Sequence, residues 1–560
     1  MRYANYGYIC SMSMKCIWLD INASYSHVNL ALPALHAQLT ESVLARTQWE
    51  RLFGTVSTPE EELLVSLQAA RPHVLMATAY LFNHTYLLHL LASFKALCPT
   101  VKVVLGGPEF LGTPAENQAY LQAHPFVDYL FRGEAEEAIN KLLEALLTGR
   151  GFEAVEGLCY TGVDNGCAAV RDFAGLKAPE SSPFFDWNKP FVQLETSRGC
   201  FNQCAFCVSG GTPVQPGHDV AALRRRLDDM VAHGVREVRI LDRTFNDGNQ
   251  RTLALLGLFA TYAGRIRFHI EVHPALLSAP MLAALQQVPP GLLHVEVGVQ
   301  SLQPDVLQAC GRKGTVSRTL DGLEALLRCG KFEVHSDLIA GLPCYTYDML
   351  FADTLRLMDT GVDEVQLELL KCLPGTRMRT QAAQRGLIYA PTPPYQVLET
   401  PWASLSDLQR AMTLSVILDH WYNSRGQGYA LYCRKIFTRL LHRNPGLLGA
   451  FVEEGVREDW LHRTFSKESR VGLLYDFCER LYPHELPYVS LMWVLNGLSL
   501  KKKPGACFRV SKEEPRENAP LVYTLDLPEG RCTLYYDRAI DRHAPIRVTI
   551  GGHTYTQTNH

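Results

Sequence analysis

Three cysteines, Cys200, Cys204 and Cys207, stand four and then three residues apart in Glu195-Thr196-Ser197-Arg198-Gly199-Cys200-Phe201-Asn202-Gln203-Cys204-Ala205-Phe206-Cys207. Thiolates this close along the chain can meet at one metal centre, because closing so short a loop costs little chain entropy. Structural zinc wants four closed ligands, and no fourth cysteine or histidine stands nearby. A 4Fe-4S cluster held by three cysteines instead keeps one iron open for a further ligand. The residues themselves therefore say thiolate-bound metal, with a three-cysteine iron-sulfur cluster fitting better than zinc.

The elements that must position this stretch follow from the apolar pattern. An apolar run at Phe191, Val192 and Leu194 predicts a strand leading into the cysteine loop. Further strands are predicted at Glu237 to Leu241, Arg267 to Val272, Leu293 to Val299, Glu333 to Ile339 and Glu364 to Leu370. Helical segments separate them; in Val220 to Val231 the residues Val220, Leu223, Leu227 and Val231 recur at helical spacing. Six strand-plus-helix units predict a parallel, curved sheet like part of a barrel, with working residues at the strand C-termini. Asp242, Thr244, Glu271, Gln300 and Asp337 fall at or near such ends.

Upstream, strands are predicted at Cys16 to Leu19, His73 to Ala77, Lys102 to Leu105 and Val127 to Phe131, with helices from about Ala31 and over Leu87 to Leu97. This is a second parallel α/β sheet. Its ligand edge would collect Asn22 to Asn29, Tyr80 to His84 and Gly106-Gly107-Pro108-Glu109. Residues 151–184 carry a short β-like piece, Gly157 to Gly162, and then Pro179, Ser181, Ser182 and Pro183, and read as a linker. Beyond Pro391 the composition turns helical, with a long helix over Leu405 to Trp421, and then to short strands near Val522 to Tyr535. The predicted organisation is a disordered extension at 1–13, an α/β domain at 14–150, the linker at 151–184, a barrel-like core at 185–390 and a mainly helical C-terminal domain with some β at 391–560.

Composition narrows the partners. The chain has 560 residues, 47% of them hydrophobic, and a formal net charge of -3. That charge carries no basic domain or stripe of the sort a nucleic acid requires. No apolar stretch reaches the length of a membrane span, and the first thirteen residues lack the apolar region of a signal peptide. Sixteen cysteines, thinly spread and several inside apolar runs, predict a reducing, cytoplasmic setting.

At the cysteines a family resemblance enters. Cys200-x3-Cys204-x2-Cys207, with aromatic Phe206 before the last cysteine, is similar to the signature of the radical S-adenosylmethionine (SAM) superfamily. The resemblance implies that the open iron chelates SAM and that an electron from the reduced cluster cleaves it to methionine and a 5′-deoxyadenosyl radical. It implies an external electron donor of the flavodoxin or ferredoxin type and a small-molecule substrate. Glu271, in Phe268-His269-Ile270-Glu271-Val272, looks like the SAM-contacting carboxylate of the coproporphyrinogen-oxidase-like branch. Gln300, in Gly298-Val299-Gln300-Ser301, resembles the glutamine closing that branch's fourth strand, and Arg312 follows at the family's spacing. A guanidinium there could hold the SAM carboxylate by two parallel hydrogen bonds. Asp337 sits where the family has a ribose- or SAM-contacting aspartate. The second strand ends in Leu241-Asp242-Arg243-Thr244, not in the Gly-Gly-Glu of many members, so Asp242 and Thr244 are the SAM contacts expected at that turn.

The upstream domain, with Gly106-Gly107-Pro108-Glu109 and Val127 to Glu136, resembles the Rossmann-like cobalamin-binding domain of the B12-dependent radical SAM subfamily. Asp20 to Ala34 and the C-terminal region resemble a bacterial branch of it whose C-terminal domain has no settled function. The resemblance implies cobalamin at Tyr80, Asn83, Gly106, Gly107 and Glu109, and methylation of an unactivated carbon, with ring contraction and cyclisation also found in the subfamily. The Asp-x-His-x-x-Gly motif that supplies a cobalt ligand in some B12 domains is absent; His27 and His84 lie on the proposed edge, and the lower cobalt face stays unassigned. Two other readings remain. A methylthiotransferase would need three more cysteines upstream, a set that Cys10, Cys16 and Cys98 do not form, and a non-catalytic iron-sulfur or cobalamin sensor would have no use for Glu271, Gln300, Arg312 and Asp337.

Overall fold

A computed structural model of the chain describes residues 13–26, 29–423, 429–499, 502, 504, 507–510, 521–528, 530–536, 547–550 and 553–556. The predicted extension, apart from Ser13, lies outside the described residues, as does His27. The chain divides into two compact units. One comprises Met1–Val295, Leu307–Gly322 and Leu370–Thr400, and the other Glu296–Val306, Leu323–Leu369 and Pro401–His560.

The first unit opens with a seven-stranded sheet made of Met14–Asn22 (β1), Thr47–Thr55 (β2), Val74–Thr78 (β3), Lys102–Gly106 (β4), Tyr129–Phe131 (β5), Leu158–Tyr160 (β6) and Val163–Asp164 (β7), in the order β2-β1-β3-β4-β5-β6-β7. The pairs from β2 to β5 are parallel, and β6 and β7 add on antiparallel. Successive side chains of a strand point to opposite faces, and here both faces are apolar. Ile17, Leu19, Leu75, Ala77, Val103 and Leu105 enter one core, while Cys16, Trp18, Val74, Met76 and Val104 enter the other. A sheet covered on both sides reads as near-continuous apolar runs, which is why β1, β3 and β4 were legible. β2 was not: Thr-Gln-Trp-Glu-Arg-Leu-Phe-Gly-Thr is an edge strand whose middle is only partly buried. The predicted linker is likewise more ordered than expected, since β6 and β7 extend the sheet.

A second sheet has six strands in the order β15-β14-β13-β12-β11-β8, where β8 is Val192–Leu194, β11 Glu237–Ile240, β12 Arg267–Val272, β13 Leu293–Gln300, β14 Glu333–Ala340 and β15 Glu364–Leu369. Helices over Val220–Ala232, Asn249–Ala260, Ala279–Gln287, Val316–Cys329 and Tyr347–Thr360 alternate with the strands. This is the partial (β/α)6, TIM-like barrel. In β12 and β13 every second residue is buried, and between them stand half-buried His269, Glu271, His294, Glu296 and Gln300.

The second unit continues into helices at Leu405–Ile417, Tyr429–Arg443, Leu447–Arg457, Lys467–Leu481 and Leu486–Leu495, and then into a five-stranded antiparallel sheet. No helix among the described residues is long and apolar enough to cross a membrane.

Candidate active site

The cysteine stretch is held from several sides. Ser197–Cys200 (β9) pairs antiparallel with Thr212–Pro216 (β10), which closes residues 201–211 into a loop. Inside it the Gly211 N–H donates to Asn202 O at 2.6 Å, the Cys207 N–H to Cys204 O at 3.2 Å, and the Ala205 N–H to Cys310 O at 2.8 Å. Gly199 has a φ of +89°, and a Cβ there would stand 2.1 Å from Pro213 O. Only glycine meets both the left-handed backbone and the close approach.

Beneath the loop, just past β11, Asp242 is 1% exposed. Its carboxylate accepts from the Thr196 N–H (2.7 Å) and Oγ1–H (2.5 Å) and from the Ser197 N–H (2.9 Å) and Oγ–H (2.7 Å). Where the sequence suggested a SAM contact, the structure has a clamp: both oxygens are occupied in fixing the segment that enters Cys200. Thr244 Oγ1 donates to Arg243 O at 2.7 Å and stands 3.6 Å from Cys200 Sγ.

Cys200 and Cys204 are buried and Cys207 is half-buried. Burial pushes the Cys204 and Cys207 thiols up; the other cysteines push the same way, and nearby arginines, Arg312 at Cys204 and Arg243 at Cys207, oppose it. Arg312 Nη1 lies 3.7 Å from Cys204 Sγ. The thiols thus face one another closely enough to repel when ionised, which is the donor set a cationic iron-sulfur cluster would hold together. Among the described residues no three His, Cys, Asp or Glu side chains close around a single ion.

The remaining expected SAM residues divide between the units. Glu271, half-buried in β12, belongs with the cysteines in the first; its main-chain carbonyl accepts from the Phe245 N–H at 2.8 Å. Gln300 closes β13 in the second unit with a φ of +70°, and its Oε1 is buried without a hydrogen-bond partner among the described residues. A positive φ at a residue with a side chain is uncommon and stores strain, a frequent mark of functional positions. Asp337 in β14 lies 3.2 Å from His335 Nε2, and His335 Nδ1 lies 3.7 Å from Glu364. Burial pushes the Asp337 carboxyl up to about 6, with Glu296 adding to the rise and His335 opposing it.

A cavity of about 430 Å³ lies in the first unit. Tyr80, Gly106 and Gly107, beyond the C-terminal ends of β3 and β4, form one rim, and Ser197, Arg198, Gly199 and Ser209 of the cysteine hairpin and loop form another. Its depth is apolar, with Ala34, Leu35, Met76, Val104, Phe131 and Ile139. Trp18 also lines it, is 4% exposed, and among the described residues has no hydrogen-bond partner for its Nε1–H. At Gly107, φ +109°, a Cβ would stand 2.6 Å from Ala79 O. A recess that is apolar on one side, edged by glycine and polar residues and lined by an indole, fits part of a large ligand that joins flat ring surface to many hydrogen-bonding groups, as cobalamin does.

Two of the residues expected to bind cobalamin do other work. Asn83 donates to Ile21 O (2.9 Å) and Thr78 O (3.1 Å) and accepts from the Tyr80 N–H (2.8 Å), so it holds the rim without lining it. Glu109 accepts from the Tyr395 hydroxyl at 2.7 Å, and burial pushes its carboxyl up. His84 Nε2 is 3.1 Å from the Tyr120 hydroxyl, and burial lowers its pKa to about 4, leaving a neutral core histidine outside the cavity lining. Sequence reasoning missed Trp18, hidden inside an apolar strand, and Arg198. The Arg198 guanidinium bonds Glu195 at 2.6 Å and Glu136 at 2.8 Å and lies over the Phe173 ring. The acidic run at Glu134 to Glu137 was the available signal for that arginine. Upstream of the loop, Cys16 and Cys159 are core thiols that burial pushes up to about 12.

Comparison with known proteins bears on this geometry. Residues 194–357 match the Radical SAM superfamily, and residues 383–488 match a family described as a protein of unknown function, DUF4080. An uncharacterized methyltransferase, PH0819 of Pyrococcus horikoshii, is 25% identical over 52% of this chain and 66% of its own length. A tRNA-2-methylthio-N(6)-dimethylallyladenosine synthase of Methylococcus capsulatus is 27% identical over 50% of this chain and 59% of its own. The cobalamin-dependent radical SAM methyltransferase TokK of Streptomyces tokunonensis is 25% identical over 66% of this chain and 57% of its own. The chain thus spans between about half and two thirds of these relatives. Among solved structures, the cobalamin-dependent SAM radical enzyme OxsB with aqua-cobalamin bound aligns with a TM-score of 0.58 at 13% identity, over 86% of this chain and 79% of that one. The radical SAM methyltransferase TsrM of Kitasatospora setae, with cobalamin and a 4Fe-4S cluster bound, aligns at 0.55 and 18%, over 68% and 78%. The fold is that of the cobalamin-dependent radical SAM enzymes.

Proposed function

We propose that this chain, which carries a radical SAM domain behind a Rossmann-like domain, is an enzyme that binds a 4Fe-4S cluster, SAM and cobalamin and methylates an unactivated carbon of a small molecule. The observation that carries the reading is the 430 Å³ cavity, whose walls include both the cysteine hairpin and the glycine edge of the first sheet. When bound, the cluster supplies the electron that cleaves SAM to a radical, and cobalamin supplies a carrier for the methyl group.

The chain's own residues do the holding and excluding. Cys200, Cys204 and Cys207 would ligate three irons, on a loop whose entry Asp242 clamps. Arg312 stands beside Cys204 with a guanidinium suited to a carboxylate such as that of SAM. Glu271, Gln300 and Asp337 are the further SAM contacts we assign, and Gln300 brings to that role a buried acceptor with no partner among the described residues. Tyr80, Gly106, Gly107 and Trp18 would seat cobalamin, its apolar surface in the recess and an acceptor on the Trp18 N–H. Burial of the cysteines and the apolar recess both keep water from a radical. An external one-electron donor of flavodoxin or ferredoxin type and a cytoplasmic setting complete the proposal, supported by the free thiols of the described cysteines.

The test is anaerobic purification with cobalamin supplied, then extraction of cofactors and incubation with SAM and a reductant. Expected are iron and sulfide, extractable cobalamin, and production of 5′-deoxyadenosine and S-adenosylhomocysteine. Cluster without cobalamin would remove the methyl-transfer part, and a cluster that leaves SAM intact would leave only a sensor.

A further inference from the structure

The C-terminal unit contains a second cavity, of about 200 Å³, unrelated to the cysteine loop. It forms where the helix predicted over Leu405 to Trp421 changes its winding. The α-helix stops at Ile417, and Leu418–Tyr422 make one π-helical turn, closed by the Asn423 N–H on Leu418 O at 2.7 Å. Such wide turns are rare and gather at functional sites, because they shift side chains out of helical register. Here the turn sets His420, Trp421 and Tyr422 on the cavity wall.

Two arginines share that cavity. Arg434 is 9% exposed, and its Nη1 donates to Asp363 Oδ1 at 3.0 Å and Val362 O at 3.3 Å. Arg470 donates from Nη1 to His420 O at 3.3 Å and from Nη2 to Asn496 Oδ1 at 2.9 Å. Both of its partners are neutral oxygens, and among the described residues no carboxylate pairs with it. Its Nε–H and one hydrogen on each terminal nitrogen remain. The Asn423 side chain is already spent on the Val365 backbone and Asp419. The uncompensated charge is felt nearby: beyond the effect of burial, Arg470 holds His420 down and works against the burial that raises Cys433.

A half-buried guanidinium without a counter-ion is expensive to keep. An oxyanion with two oxygens to offer, entering the cavity, would relieve that cost and match the guanidinium fork. Trp421, Val471 and Met492 supply an apolar wall beside it. We propose that this cavity is an anion-binding site, which takes the carboxylate or phosphate of a small molecule between Arg470 and Arg434 and its apolar part against Trp421, Val471 and Met492.

Two probes distinguish the anion: benzoate and phenyl phosphate, titrated calorimetrically into the full chain at constant ionic strength, with chloride as the reference salt. One of them should bind saturably in the millimolar range or tighter, and Arg470→Gln should weaken it at least about tenfold, the effect of losing charge-assisted hydrogen bonds. A variant-free measurement guards against misfolding. In the unaltered protein the bound probe should protect Arg470 from phenylglyoxal, read by peptide mass spectrometry, while exposed Arg463 reacts as before. Saturation by neither probe, equal binding by folded Arg470→Gln, or unprotected Arg470 would each overturn the proposal.

Discussion

The two parallel sheets are built from the same strand-helix alternation yet differ in what they bury. In the first, β1, β3 and β4 send apolar side chains to both faces, and the buried polar residues Asp20, Asn22 and Thr78 stand near the strand ends. In the second, one side of each strand is apolar, and between those residues stand His269, Glu271, His294, Glu296, His335 and Asp337. A sheet that only supports needs no polar face. One that encloses chemistry keeps groups that can hold charge, at the cost of burying them. The first sheet thus backs a recess that is largely apolar where it meets the strands, and the second offers a titratable interior.

The sharpest way to break this comparison is at the cysteines. Cys204→Ala should abolish cluster incorporation and SAM cleavage, measured as iron per chain and 5′-deoxyadenosine; an active variant would remove the catalytic assignment. Next in size, Asp242→Asn leaves an amide N–H₂ facing the donors of Thr196 and Ser197. It should destabilise the fold by about 3 kcal/mol, read by urea unfolding, and lower cluster loading although no ligand is changed. Normal loading would mean that the cysteine loop stands without its clamp.

On the first sheet the effect should be smaller and selective. Trp18→Phe keeps an aromatic ring but removes the indole N–H and part of the side-chain volume. Cobalamin affinity should fall by up to about tenfold, about 1.4 kcal/mol, with a small loss of thermal stability from the space left in the core; an unaltered affinity would leave the donor without a role.

The smallest effect concerns the titratable interior. The Asp337 carboxyl is raised from an ordinary 3.8 to about 6, so the folded chain holds its proton more tightly than the unfolded one. Its contribution is most favourable below the unfolded value and is lost as pH rises toward 6. Asp337→Asn should flatten that decline in the urea midpoint between about pH 4 and 6, and an unchanged slope would place the titration elsewhere.

Much of this was readable beforehand where local rules decide. Strands β12 to β15 were placed to within a residue, because each keeps a buried apolar face along its length. The edge strand β2 escaped because its polar residues meet solvent, and β7 because it is a two-residue piece that gains strand form only by joining a sheet already built; β6 falls within the β-like piece read at Gly157 to Gly162. Asn83, Glu109 and His84 were drawn into the cobalamin reading by their position on the right edge. Which way each side chain turns depends on partners distant in sequence, such as Ile21, Tyr395 and Tyr120.

The sequence by itself determined the donor set and the architecture around it. Three cysteines within eight residues need no distant partner to act together, and the strand period of two is local. Only the tertiary structure decided the roles that rest on long-range approach. Asp242 became a clamp because Thr196 and Ser197 fold over it. The recognition role we propose for Trp18 rests on its place in the cavity wall and its unpartnered N–H, and the anion site we propose at Arg470 rests on a π turn and two neutral oxygens. Hydrogen-bond satisfaction and burial belong to the folded chain, so they could not be read from neighbours along it.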